Sequence, residues 1–227
     1  MTIRSIPTAR RVGGLRRLWS TALDLVFPPR CAACGRVDII WCRDCQAQLE
    51  AEPLDLRSQA LPPLSGALAC GVHAGVVQHA IHVLKYEGQT QVGEALGQRM
   101  VAALQAVSWS VTLIVPVPLH TSRLAKRGYN QSQILGDILG QAHGIPCQSQ
   151  AIARHRETHT QVGLNREGRL LNVKDAFSAT LPLTGQHLLL VDDVRTTGAT
   201  LLACAEAALV GGAAAVYALT LTVAQDT

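Results

Sequence analysis

Aromatic residues are scarce: Phe, Trp and Tyr make up 4% of the 227 residues, so the core must be built from Leu, Val and Ala. Charged residues are sparse too, at 16%, while hydrophobic residues reach 48%. That balance excludes a disordered or fibrous chain. There is no internal repeat, no low-complexity tract and no Gly-x-x-x-x-Gly-Lys phosphate loop. The length suits one sizeable core with a small appendage and is too short for two large domains. Few aromatics also speak against a dedicated single-strand platform, which stacks bases on rings. Tyr129, Trp41 and Trp109 are the candidate stackers, and Trp109 reads as core.

The net charge of +4 is compatible with an anionic partner without demanding one. Its surplus gathers early, where Arg4, Arg10, Arg11, Arg16, Arg17 and Arg30 face only Asp24. The apolar stretch Leu18–Phe27 superficially resembles a signal peptide. It carries Asp24, ends at Pro28-Pro29 and has no small-residue cleavage site. Leu15, Leu18, Trp19, Ala22 and Val26 recur at helical spacing, so residues 1–30 are expected to form a basic amphipathic docking helix. A second uncharged run, Ala207–Gln225, is broken by Gly211-Gly212 and continues as a strand pattern. No transmembrane segment is expected, and a cytoplasmic location follows as an expectation.

Residues 31–52 read as a small module and 53–66, with Pro53, Ser58, Pro62, Pro63 and Ser65, as a linker. From residue 67 to 227 strand and helix patterns alternate. Strands are expected at Ala67–Gly71, Val111–Val117, Leu188–Val191 and Ala214–Val223. Helices are expected at Val76–Tyr86, Val92–Val107, Gln131–Ala142 and Ala199–Leu209. Several strands are apolar throughout, which predicts an α/β domain with a parallel sheet covered on both faces by helices.

Four of the seven cysteines fall into two tight pairs, Cys31-Ala32-Ala33-Cys34 and Cys42-Arg43-Asp44-Cys45. This spacing brings four thiolates within reach of one tetrahedral ion, and Zn²⁺ suits soft sulfur ligands. Gly35 permits the tight turn of a zinc knuckle. Disulfides do not fit a chain without an export signal, and a redox Cys-x-x-Cys normally stands alone. Cys31, Cys34, Cys42 and Cys45 are therefore the expected structural zinc ligands. Cys70, Cys147 and Cys204 stand isolated in apolar surroundings and read as core.

The most informative stretch runs from His187 to Thr200. The strand Leu188–Val191 delivers Asp192 and Asp193 at its carboxyl end, where parallel α/β sheets bind ligands. Thr196, Thr197, Gly198, Ala199 and Thr200 then lead into a helix, so backbone N–H groups and the helix start form a phosphate cradle. Adjacent carboxylates accept hydrogen bonds from a vicinal diol or hold Mg²⁺. A phosphate cradle beside diol acceptors describes ribose 5-phosphate. A Walker B strand would need the missing phosphate loop, and an aspartyl-nucleophile phosphatase would need Asp-x-Asp. Two acids ahead of Thr-Thr-Gly-Ala-Thr are also more than a helix cap requires.

Val191–Thr200 resembles the phosphoribosyl-pyrophosphate signature of type I phosphoribosyltransferases. Val115-Pro116-Val117-Pro118-Leu119-His120, with Arg123 and Arg127-Gly128-Tyr129-Asn130-Gln131, resembles one branch, the ComF family of competence proteins. Arg154, Thr158, Thr160-Gln161, Leu164, Arg166, Asn172, Ala176-Phe177 and the amino-terminal cysteine pairs match that branch too. The resemblance spans essentially the whole chain. It implies a zinc-binding amino-terminal module followed by a phosphoribosyltransferase-like domain. Asp192 and Asp193 would hold the ribose hydroxyls, directly or through Mg²⁺, and Thr196–Thr200 the 5-phosphate. It further implies a role with single-stranded DNA and other uptake proteins in natural transformation.

The remaining candidates stay open at the level of the sequence. The loop after Val111–Val117 should emerge near the two acids, where Arg123, Lys126 and Arg127 could face a pyrophosphate, a nucleic-acid backbone, or only solvent. The basic stretch Arg154–Arg169 lacks an apolar period and reads as a loop over the site. His120 joins Arg123 and Arg127 as a candidate to bind the ribose 5-phosphate or pyrophosphate. His120 and His159 also suit acid–base work near pH 7 or plain hydrogen bonding, and Lys85 is a further candidate to reach the pocket. Two functional classes result: phosphoribosyl transfer, catalysed mainly by position and electrostatics, or a non-catalytic protein that grips a phosphorylated ribose or DNA end. A transferase of nucleotide or base metabolism without a DNA role is the alternative, and the acceptor carries no visible motif.

Overall fold

The computed structural model describes residues 28–156 and 176–224. The expected docking helix and most of the Arg154–Arg169 stretch, with His159, lie outside the described residues. Seven strands and six helices are found among the described residues. A short helix, α1 (Arg43–Ala51), begins after its N-cap Cys42 and carries Cys45 in its first turn. Strands β1 (Arg57–Gln59) and β2 (Gly66–Ala69) precede helices α2 (Gly75–Tyr86) and α3 (Val92–Gln105). Strand β3 (Leu113–Pro116) leads through α4 (Thr121–Arg127) into α5 (Gln131–His143). Then come β4 (Ile152–Arg154), β5 (Phe177–Ala179), β6 (His187–Arg195), α6 (Ala199–Val210) and β7 (Ala215–Val223).

The main sheet has the order β1-β2-β7-β6-β3, with β2, β7, β6 and β3 parallel and β1 antiparallel at the edge. Strand alternation sends neighbouring residues to opposite faces. Leu189, Val191, Leu219 and Leu221 face a cluster with α2, α3 and α5, while Leu188, Leu190, Val216 and Ala218 face one with α6. This is the α/β architecture expected from the apolar strands, helices flanking a largely parallel sheet. Gly97 lets α3 and α5 approach closely, since a Cβ there would lie 2.7 Å from Ile138 Cδ1.

Three features depart from the expected layout. The segment 53–66 is built into the domain: β1 extends the sheet, and Leu61 and Leu64 are buried. Arg99 reinforces this by donating to the carbonyls of Glu52 and Pro53. Strands β4 and β5 form a separate antiparallel pair, too short to announce themselves by alternation. Strand β6 also runs on through both acids to Arg195, paired with β7 as far as Val223. The amino-terminal module packs against the same body, with Leu49 wholly buried among α2 and α3 residues. Among the described residues no helix is long and apolar enough to cross a membrane.

Candidate functional site

The carboxyl ends of β3 and β6 lie side by side, since the ladder continues from Val117 N–H to the Val191 carbonyl at 2.9 Å. Everything that follows these strands therefore emerges at one edge. Asn130 organises the turn: its amide donates to the Val117 carbonyl at 3.0 Å and its oxygen accepts from Ser132 N–H at 3.1 Å, capping α5. That cap places Ser132 against β6, where its hydroxyl donates to Asp192 Oδ1 at 2.9 Å. The Asp193 N–H donates to the same oxygen at 2.9 Å. Burial, with the Asp193 charge second, pushes the Asp192 carboxyl up to about 7, against the opposing pull of Lys85 and these donors.

Asp193 is nearly sealed, with 4% of its side chain exposed, and its Oδ2 lies 2.8 Å from Lys85 Nζ in the last turn of α2. His73 stands alongside, its Nδ1 2.9 Å from Thr222 Oγ1, and burial followed by the Lys85 charge lowers its pKa. Lys85 is thus far more central than its bare sequence context suggests. Ser132 and His73 have no local motif that could have marked them, because topology alone brings them to the acids.

Beyond Arg195, whose guanidinium donates to Gln59, the chain turns through Thr196 and Thr197 into α6. Gly198 caps this helix with φ +81°, a left-handed conformation that favours glycine. Ala199 N–H points back to Thr197 Oγ1 at 3.4 Å, and Thr196 is exposed while Thr197 and Thr200 are half-buried. Small residues thus occupy the helix start that follows the two acids in the chain.

The basic residues after β3 form the third part of the site. Lys85, Tyr86, Gly88, Arg123, Lys126, Arg127 and Tyr129 line a cleft of about 450 Å³. Arg127 donates to Gln131 and lies over the Tyr86 ring, 5.2 Å from its centroid. The Tyr129 hydroxyl donates to the Leu84 carbonyl. Tyr86 is 64% exposed and is an aromatic surface missing from the stackers expected on sequence grounds. Trp109 instead stacks on Tyr217 at 4.9 Å, within the body of the fold. His120 caps α4, accepting from Ser122 N–H at 3.3 Å and lying 2.9 Å from the Ser122 hydroxyl. This geometry matches the plain hydrogen-bonding reading of His120.

The four expected metal ligands converge. The sulfurs of Cys31, Cys34, Cys42 and Cys45 all lie within 4.8 Å of one another, with Cys31–Cys45 and Cys34–Cys42 at 3.6 Å. Four sulfurs around one ion with bonds of about 2.3 Å stand roughly 3.8 Å apart, so the arrangement fits a tetrahedral metal such as zinc. These separations are far too long for disulfides, and all four are free thiols. Burial raises the Cys31 thiol, but backbone N–H groups of Cys34, Cys42 and Ala33 outweigh it and bring the pKa down to about 6. Cys70 and Cys204 are buried as expected, and half-buried Cys147 is pushed up to about 12, chiefly by burial.

No family model matches the chain. Curated proteins do. The chain is 33% identical over 193 residues to the DNA utilization protein YhgH of Escherichia coli K12, covering 82% of this chain and 85% of that one. It is 29% identical over 181 residues to competence protein F of Haemophilus influenzae, covering 76% and 75%. Against the competence protein ComFC of Bacillus subtilis the identity is 26% over 188 residues, covering 82% and 73%. Among solved structures, adenine phosphoribosyl transferase from Trypanosoma brucei is similar at a TM-score of 0.39 and 12% identity, covering 81% of each chain. Glutamine phosphoribosylpyrophosphate amidotransferase from B. subtilis also gives 0.39, at 21% identity over 56% of this chain and 25% of that one. These structural likenesses are loose and the site stands on its own residues. The curated relatives show that the chain belongs to the ComF family of competence and DNA utilization proteins.

Proposed function

We propose that the carboxyl edge of the sheet binds a phosphorylated ribose, as phosphoribosyl pyrophosphate or as a nucleotide or DNA end, in a protein that acts in DNA uptake. One observation carries the proposal: two carboxylates, a glycine-capped helix start and a basic cleft share one edge of the sheet. Asp192 and Asp193 are acceptors for the two ribose hydroxyls, and Thr196, Thr197, Gly198, Ala199 and Thr200 cradle the 5-phosphate. Arg123 and Arg127 face a further anionic group from α4. The carboxylate oxygens also suit a hard cation such as Mg²⁺, which when bound neutralises pyrophosphate. The cysteine cluster holds structural Zn²⁺. The names of the relatives support the DNA side of the reading, and the phosphate cradle supports the ribose side.

The test is a pair of titrations on the full chain across a salt series. One ligand is phosphoribosyl pyrophosphate with Mg²⁺, and the other is a 5′-phosphorylated single strand. Binding of both, with mutual competition, is the expected result. Binding of phosphoribosyl pyrophosphate alone, with pyrophosphate released when a base is added, would make the chain a transferase without a DNA role. Binding of neither would remove the reading.

A further inference from the structure

Lys85 occupies an unusual position. Its side chain is 20% exposed, its Nζ lies against the nearly sealed Asp193, and its stem borders two clefts at once. On one side lie His73, Gln78, His79 and His82; on the other, the basic cleft of Arg123, Lys126 and Arg127. Its charge acts on Asp192 as well, lowering that carboxyl's pKa, and it depresses His73. One flexible cation therefore contacts Asp193, acts on Asp192 through its charge, and borders the basic cleft.

We propose that Lys85 is a counter-ion that exchanges partners, and that the exchange makes the site select a ribose phosphate carrying a second anionic group. This rests on the reading of Asp193 as an acceptor for sugar hydroxyls. In the ligand-free protein the ammonium neutralises Asp193 Oδ2 as an ion pair at 2.8 Å, without an aligned hydrogen bond to that buried oxygen. Hydroxyl donors arriving at Asp193 compete with it, because so buried an oxygen has room for few partners. A ligand with a single phosphate on the Thr196–Thr200 cradle displaces Lys85 and offers nothing in return, leaving a half-buried ammonium without its anion. A ligand that also places an anion in the Arg123–Arg127 cleft gives Lys85 a new partner, so one ion pair is traded for another. Lysine suits such an exchange because its compact charge rides on a flexible four-carbon stem, whereas arginine presents a rigid fork.

The experiment compares ribose 5-phosphate and phosphoribosyl pyrophosphate by calorimetry in one Mg²⁺ buffer, for the wild-type chain and for Lys85→Met. The wild type should favour the two-anion ligand at least tenfold. The substitution should weaken that ligand by roughly tenfold or more, the worth of one charged hydrogen bond. Affinity for ribose 5-phosphate should hold or rise, since no counter-ion remains to be displaced. Equal losses for both ligands, as a merely structural ion pair would give, would overturn the exchange, and so would no change in either. A wild type that binds neither ligand would instead remove the ribose site itself. Should circular dichroism show Lys85→Met unfolded, Lys85→Gln keeps a donor for Asp193 without the charge, and the same two-ligand comparison decides.

Discussion

Replacing Asp192 by Asn should stabilise the ligand-free protein, and only above a definite pH. The Asp192 carboxyl is raised from 3.8 to about 7, first by burial and then by Asp193. The folded chain therefore binds this proton more tightly than the unfolded one. Its favourable contribution is complete below pH ~4 and is lost as pH rises from there through about 7. Roughly three pH units correspond to a ceiling of about 4 kcal/mol, and about half of that is expected for a carboxyl that keeps some solvent contact. Asn retains an oxygen to accept from Ser132 and from Asp193 N–H, so both hydrogen bonds at Oδ1 survive. Thermal unfolding without Mg²⁺, followed by circular dichroism at several pH values from 4 to 8.5, should show equal melting temperatures at pH 4. The variant should pull ahead between pH 5 and 7 and keep a constant lead above. A variant that melts lower at pH 8, or leads equally at every pH, would refute the reasoning.

Other outcomes can be checked alongside. Metal analysis of reduced wild-type protein should give one zinc per chain, and Cys34→Ser should abolish it and unfold the amino-terminal module while the larger domain persists; metal-free wild type would contradict this. In finger peptides such zinc contributes roughly 10–16 kcal/mol. Gly198→Ala forces a side chain into the left-handed region at φ +81° and toward Leu61 Cδ1 at 3.4 Å. A cost of about 1–2 kcal/mol, or a melting temperature lower by about 2–8 °C, is expected, with weaker phosphate binding. Arg123→Ala combined with Arg127→Ala should flatten the salt slope of single-strand binding by about 1.4 if each meets one phosphate. A slope that stays put while phosphoribosyl pyrophosphate binding collapses would exclude DNA from this cleft.

The sequence carried the parts of this fold whose signals are local. Apolar runs at Leu188–Val191 and Val111–Val117, with helical periods between, were enough to place β6, β3 and the flanking helices within a few residues. The cysteine pairs were equally plain, because metal-ligand spacing is itself a local property. Asp192, Asp193 and Thr196–Thr200 were visible for the same reason, as one strand–loop–helix run. What stayed hidden depends on contacts between distant segments. Lys85 reads from the sequence as a candidate to reach the pocket, but its partner Asp193 does not, because the two meet only through the packing of α2 over β6 and β7. The edge strand β1 reads as linker because proline and serine dominate the segment around it, and its identity comes from pairing with β2. His120 illustrates a third case, in which a residue suited to chemistry is engaged as a helix cap.

The central claim is that Asp192 and Asp193 grip a ribose, and calorimetry of the Asp192→Asn, Asp193→Asn double variant tests it most directly. Each lost charged hydrogen bond is worth about 1.5–3 kcal/mol, so affinity for phosphoribosyl pyrophosphate with Mg²⁺ should fall roughly tenfold to a hundredfold per acid. The far-ultraviolet spectrum should be unchanged. An affinity equal to that of the wild type, in a variant that is fully folded, would mean that the two acids serve only the framework around α6.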